Sequence, residues 1–227
     1  MFELSTISIG FWQSVLKRIF DILFSSISLI ILSPVFLMIY IGIKIEDFSG
    51  PAIYKNRRVG KNEKLFTLYK FRYMYWKDSV KDAYGQSREK DEALAYEESL
   101  KQTNNGRNGP LYKIQNDPRK MRFGAFIEKF SLDELPQLIN VLKGDMSLIG
   151  PRPHQPREVE LYSESDKQVL TIKPGISGMA QVYGRDKNSF QEEVAYDVYY
   201  IENYSFFLDL AILVRTVFVV LGRPFKR

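Results

Sequence analysis

The segment Ser131-Leu132-Asp133-Glu134-Leu135-Pro136 carries the densest candidate chemistry in this chain. Ser131 and Glu134 stand at capping-box spacing, which predicts a helix opening at Leu132. Read the other way, Pro136 is the first helical residue. Either register sets the Asp133–Glu134 pair at a helix N-terminus, where free N–H groups and the positive dipole end hold a phosphate beside a carboxylate. Adjacent carboxylates also suit Mg2+, which keeps several waters and binds through one or two carboxylates plus a substrate phosphate. A plainer reading competes: acidic residues in a first helical turn complement its dipole and do nothing else.

Cations beside glycine or proline recur around that pair. Lys70-Phe71-Arg72 follows a strand-like stretch, and Asn116-Asp117-Pro118-Arg119 precedes Gly124. Further on come Gly150-Pro151-Arg152-Pro153 and Gly184-Arg185. A guanidinium grips phosphate oxygens bidentately, and proline-locked backbone holds Arg152 where it can aim. Taken singly, each is a surface charge or a turn. With no cysteine and His154 as the single histidine, a thiolate site, a Cys–His dyad and a catalytic zinc centre are set aside. His154 itself reads as a rim residue. The net charge of +5 suits an anionic partner such as a membrane surface, a nucleotide or nucleic acid. Nucleic acid is the weakest of these, because no reading helix or base-stacking motif accompanies the charge.

The elements that must position these residues begin with a hydrophobic segment. Ile22 to Ile43 holds no charged residue, opens after Lys17, Arg18 and Asp21, and closes at Lys44. Its length suffices to span a hydrocarbon core. Ser33-Pro34 breaks it near the middle: Pro34 has no N–H and clashes with the Ile30 carbonyl, so the helix kinks. The Ser33 hydroxyl can bond back to the Leu29 carbonyl and deepen the bend. Basic residues at both ends favour both ends on the cytoplasmic side. Together these predict a helix–break–helix hairpin that enters one leaflet and returns; a single kinked transmembrane helix is the competing reading. At the other end, Tyr204 to Leu221 places Ser205, Asp209 and Thr216 on one polar stripe of an otherwise apolar helix. That pattern fits an interfacial helix or a buried C-terminal one, and Arg223, Lys226 and Arg227 beyond it suit anionic headgroups.

Between the two ends, Ala52–Tyr54 and Leu65–Tyr69 flank a turn at Gly60 to Lys64 and predict a hairpin. Residues 77–109 are strongly polar and read as a surface insertion, with a solvated helix over Glu89–Lys101 and a loop over Asn104–Pro110. Lys173 to Gly178 is turn-rich, and Ser189 to Tyr204 looks helical. The predicted class is α+β, mostly helical: a re-entrant N-terminal membrane hairpin with interfacial amphipathic helices and a small β-hairpin. Residues 1–45 form the N-terminal membrane segment. Residues 46–227 form a cytoplasmic catalytic domain carrying the 77–109 insertion and the interfacial helix 204–221.

In this order the pieces resemble the bacterial sugar transferase family, the monotopic polyprenyl-phosphate phosphoglycosyl transferases. The resemblance rests on KRIFDILFSSISLIILSPVF at 17–36, GPAIYKNRRVGKNEKLFTLYKFRYM at 50–74, NDPRKMRFGAFIEKFSLDELPQLINVLKGDMSLIGPRP at 116–153 and KPGISGMAQVYGR at 173–185, with DVYYIENYSFFLDLAIL closing it at 197–213. It implies the small catalytic-domain form, acting at the cytoplasmic face of the bacterial inner membrane. Ser33-Pro34 would be the break of the re-entrant helix. Asp133 would be the nucleophile and bind Mg2+, with Glu134 its dyad partner and Lys70, Arg72, Arg119, Arg152 and Arg185 the phosphate contacts. The implied partners are a UDP-sugar, polyprenyl phosphate and membrane lipid, with room for a homodimer. The chain departs from the family pattern at Glu128, where Arg is usual and Lys129 stands alongside, and at Asn56, Ser177 and Tyr183. Glu128 is also the feature that favours an alternative role, a catalytically impaired membrane scaffold within a glycan-assembly complex.

Overall fold

The computed structural model describes residues 9–80, 88–104, 114–184 and 189–222. The chain is mostly helical with two small two-stranded sheets, an α+β arrangement. It opens with α1 (Phe11–Ile31) and α2 (Ser33–Glu46), which meet at Leu32 with a bend of 61°. No single described helix is long and apolar enough to cross a membrane, but this bent pair together is.

The bend has a local cause. Pro34 lacks the N–H that would bond the Ile30 carbonyl, and the Ser33 hydroxyl takes that place at 2.8 Å. The sequence places this hydroxyl on Leu29; the structure has it one residue on, at the group the proline orphans. The flanking bonds, Leu32 N–H to Ser28 and Phe36 N–H to Leu32, stay helical at 2.8 and 2.9 Å.

α1 is amphipathic in an inverted sense. Lys17, Asp21 and Ser25 form its buried face, while Trp12, Leu16, Leu23, Ile27 and Ile30 are exposed, Ile30 by 75%. The Arg18 guanidinium donates to the Val141 and Leu142 carbonyls at 2.5 and 2.8 Å, closing the C-terminal end of α5 (Gln137–Lys143) as cations do at helix ends. The last helix, α9 (Phe206–Val220), repeats the inversion. Its Asp209 turns inward to Lys17 at 2.6 Å and to the Tyr200 hydroxyl at 2.6 Å, and Thr216 meets Ser177. Phe207, Val214 and Val217 stay outside. The polar stripe that sequence could assign to either setting therefore faces protein.

The predicted hairpin is present and longer than expected: β1 (Ile53–Val59) runs antiparallel to β2 (Leu65–Phe71), from Ile53↔Phe71 to Val59↔Leu65. A second sheet was not legible. Its strands β3 (Ser147–Ile149) and β4 (Gly175–Ser177) are only three residues each and pair in parallel. They approach so closely that a Cβ on Gly175 would sit 2.1 Å from the Gly150 nitrogen; only glycine fits there. The short helices α6 (Pro156–Val159) and α7 (Met179–Tyr183) come after β3 and β4 in turn. α8 (Phe190–Glu202) opens with a capping box between Ser189 and Glu192 and packs Tyr200 and Ile201 on this sheet with Val141, Met146, Leu148 and Ile212. Two further apolar clusters lie around Val59, Val159, Leu170 and Phe190, and around Ile43, Phe71, Met121 and Ile127, the latter seating α2.

Candidate active site

Asp133 and Glu134 lie in a single 3-10 turn, Leu132–Glu134, between α4 (Arg122–Lys129) and α5. The capping box predicted from Ser131 does not form. Ser131 adopts a left-handed conformation at φ 55° and its side chain caps nothing. A serine held there costs about 1–2 kcal/mol, the kind of strain that persists where surrounding structure over-determines it. Pro136 is the N-cap residue of α5, so the acid pair sits one tight turn ahead of that helix rather than in its first turn.

The turn is held against β2 by Asn140 on α5. Its amide donates to the Thr67 carbonyl at 2.7 Å and its carbonyl accepts the Tyr69 N–H at 3.0 Å. It thus pairs with the edge of β2 as another strand would, and Lys70 follows immediately. The Lys70 ammonium lies 2.8 Å from Glu134 Oε1 and 3.3 Å from Asp133 Oδ2. One cation therefore serves two carboxylates. Asp133 is 3% exposed; burial raises its pKa to about 7 despite Lys70, and Glu134 and Glu128 add to the rise. Burial works against Glu134 too, but Lys70, Arg152 and Arg58 outweigh it and hold its pKa below the ordinary carboxylate value. The pair is thereby divided: Glu134 stays charged, and Asp133 changes charge near neutral pH.

The pair opens on a cavity of about 1110 Å3. Lys70, Arg58, Arg152 and Lys120 line its polar part, while Phe24 and Ser28 of α1 and Leu32 at the bend, with Val219 and Val220 of α9, line a more apolar part. One space thus joins the acid pair to α1 and α9, the helices with exposed apolar faces. The predicted insertion is part of this wall. α3 (Arg88–Asn104) places Leu94 and Glu97 on the cavity. Glu97 is buried between Arg119 at 3.1 Å and Arg157 at 2.7 Å, so this helix is anchored rather than merely solvated.

Of the predicted phosphate contacts, Lys70 and Arg152 face the acid pair. Arg72 borders the cavity but is 1% exposed, and its N–H groups go to the Asp47 carboxylate and to the carbonyls of Asp47, Pro51 and Met74. Arg119 is committed similarly, to both oxygens of Asp117 and to Glu97; these partners outweigh burial and raise its pKa. Arg185 lies outside the described residues, as do the loop after Asn104 and the tail cations Arg223, Lys226 and Arg227. Arg58 was missed; its sign was its place in the NRRVG stretch of β1, facing Glu158 at 3.5 Å and acting on Glu134. His154 is no rim residue: it is buried, with Tyr162 on Nδ1 and Glu193 3.4 Å from Nε2.

For a divalent cation the donor set fits. Asp133 offers a second carboxylate oxygen with no partner among the described residues, beside Glu134. Among those residues no cluster of three or more acidic or histidine ligands exists, so only an ion completing its shell with water and substrate oxygens suits the site.

The chain belongs to the bacterial sugar transferase family, whose model matches residues 12–223. It is 44% identical over 92% of its length to the undecaprenyl-phosphate galactose phosphotransferase of Salmonella typhimurium, covering 41% of that protein. It is 40% identical over 88% of its length to the exopolysaccharide production protein ExoY of Rhizobium meliloti, covering 83% of it. A UDP-N-acetylgalactosamine-undecaprenyl-phosphate N-acetylgalactosaminephosphotransferase of Aeromonas hydrophila is 35% identical over 91% of the chain, 44% of the relative. The chain thus spans about two fifths of the Salmonella and Aeromonas relatives and most of ExoY.

Proposed function

We propose that this protein is a phosphoglycosyl transferase that moves a sugar 1-phosphate from a UDP-sugar to polyprenyl phosphate, the first membrane step of glycan assembly. The observation that carries it is the geometry of the acid pair: a buried Asp133 carboxyl beside Glu134, a single lysine shared between them, on the wall of a cavity that also carries Arg58 and Arg152. A carboxylate nucleophile turns one difficult transfer into two easier ones. An Asp133 oxygen attacks the sugar-linked phosphorus, the bond from that phosphorus to the bridging oxygen breaks, and UMP leaves with the bridging oxygen. An oxygen of the polyprenyl phosphate then attacks the phosphosugar–aspartate, freeing the carboxylate and giving polyprenyl-diphosphate-sugar. Lys70, Arg58 and Arg152 offset charge on the phosphates as they pass. Mg2+, held by Asp133 with Glu134 beside it, would neutralise further phosphate charge.

The inverted helices support a membrane setting. Large exposed apolar patches mark membrane or partner contacts, and here exposed apolar side chains stand on three helices: Trp12 and Ile30 on α1, Leu37 and Ile41 on α2, and Phe207 and Val217 on α9. The bent pair enters one leaflet from the cytoplasmic face of the inner membrane and returns, as its basic flanks favour. The apolar end of the cavity then meets the lipid-borne acceptor while the polar end meets the soluble donor. Detergent-solubilised protein incubated with UDP-glucose, UDP-galactose and N-acetylated UDP-sugars should release UMP from at least one before any acceptor is added. No release across the panel contradicts the proposal. Glycan assembly supported in cells by an Asp133→Asn protein would point instead to the scaffold role.

A further inference from the structure

We propose that Lys120, steadied by Glu128, is a further ligand for the donor's phosphates, doing the work that the sequence assigns to its neighbour Arg119. This rests on the transferase reading above and adds a residue to it. Burial and committed partners make the choice between the two neighbours. Lys120 bridges Met74 in an antiparallel sense, with the Tyr75 N–H bonding the Arg119 carbonyl and the Met121 N–H bonding the Tyr73 carbonyl. Arg119 and Lys120 both border the cavity. Arg119 is buried, with its guanidinium committed to Asp117 and Glu97, and Met121 enters the apolar cluster beneath α2. Lys120 stays partly exposed on the cavity wall that also carries Asp133 and Lys70.

Its ammonium has one partner among the described residues, Glu128 Oε2 at 2.6 Å. An ammonium has three N–H donors, so two are left for oxygens arriving in the cavity. The pair is partly exposed, with side chains 21% and 31% accessible, and such pairs contribute little to stability. Glu128 and Lys120 line the same cavity as Asp133. Without that ammonium, Glu128 would repel an incoming diphosphate; with it, the ammonium bridges the carboxylate to the phosphate.

The test uses the full chain and whichever UDP-sugar releases UMP in the panel. Lys120→Met should lower kcat/KM about tenfold with an unchanged melting temperature, and Lys120→Arg should restore most of the loss. Glu128→Gln should cost only about threefold, because the cation stays but is less well aimed. Calorimetric binding of UDP should weaken in the same order. If Lys120 and Glu128 form only a surface staple, Lys120→Met and Glu128→Gln lose equally in melting temperature and neither alters UDP binding, which overturns the assignment. Kinetics of Lys120→Met equal to wild type overturn it too while leaving the transferase reading standing. A wild-type protein that releases no UMP removes that reading, and this one with it.

Discussion

Two buried lysine–carboxylate systems in this molecule use the same ingredients to opposite ends. Between α1 and α9, Lys17 meets Asp209 one to one at 2.6 Å, and the hydroxyl of Tyr200 completes both, donating to Asp209 at 2.6 Å and accepting from Lys17 at 3.2 Å. The direct bonds among these three groups are filled, and none of them lines the cavity. Between β2 and the 3-10 turn, Lys70 is shared by two carboxylates at 2.8 and 3.3 Å and borders open space. Closure away from the cavity makes the first a clasp. Opening on the cavity makes the second a site, because a buried carboxylate that shares its cation shifts its pKa and can meet arriving cations and phosphates.

Breaking each system should therefore have a different kind of consequence. Asp133→Asn should lower UMP release by about 1,000-fold or more, measured by coupled nucleotide assay, while the melting temperature does not fall. Lys17→Met should do the reverse. It strands Asp209 in a dry interior and should cost about 3–5 kcal/mol, read by denaturant unfolding in detergent, with turnover per folded molecule retained. Adding Asp209→Leu should recover much of that loss. Lys70→Met should reduce kcat/KM by about 100-fold. It should also move the acid limb of the activity profile to higher pH, since Lys70 is the main influence lowering the Asp133 pKa.

The pH dependence sharpens the contrast further. The attacking group must be ionised, so kcat/KM should rise about tenfold per pH unit below about 7 and level off above it, following Asp133. Stability should respond in the opposite sense. A carboxyl with a folded pKa above its unfolded value binds more protons when folded, so its contribution falls as pH rises from about 4 to about 7. In Asp133→Asn that slope should be shallower.

Much of this was legible in the sequence. The break at Ser33-Pro34 follows from a missing N–H, the hairpin from turn residues between β-branched and aromatic runs, and the acid pair from adjacency alone. What escaped depends on partners distant in sequence. Whether an arginine is available for phosphate is decided by which carboxylate reaches it first. Arg72 is taken by Asp47, far back in the chain, whereas Arg119 is taken by Asp117, two residues before it, and then by the distant Glu97. The choice between Arg119 and Lys120 rests on burial and on the carboxylates each meets in the fold. Strands of three residues such as β3 and β4 carry no periodicity to detect. Asn140 gives no local sign that its amide will complete the edge of β2.

On the proposed mechanism Asp133 becomes covalently esterified. Peptide mass mapping of enzyme quenched with its UDP-sugar, in the absence of lipid acceptor, tests it most directly. A phosphosugar increment on the Asp133 peptide, absent from Asp133→Asn and lost on adding polyprenyl phosphate, is the expected result. UMP release that proceeds only with acceptor present, with no increment on that peptide, would contradict it.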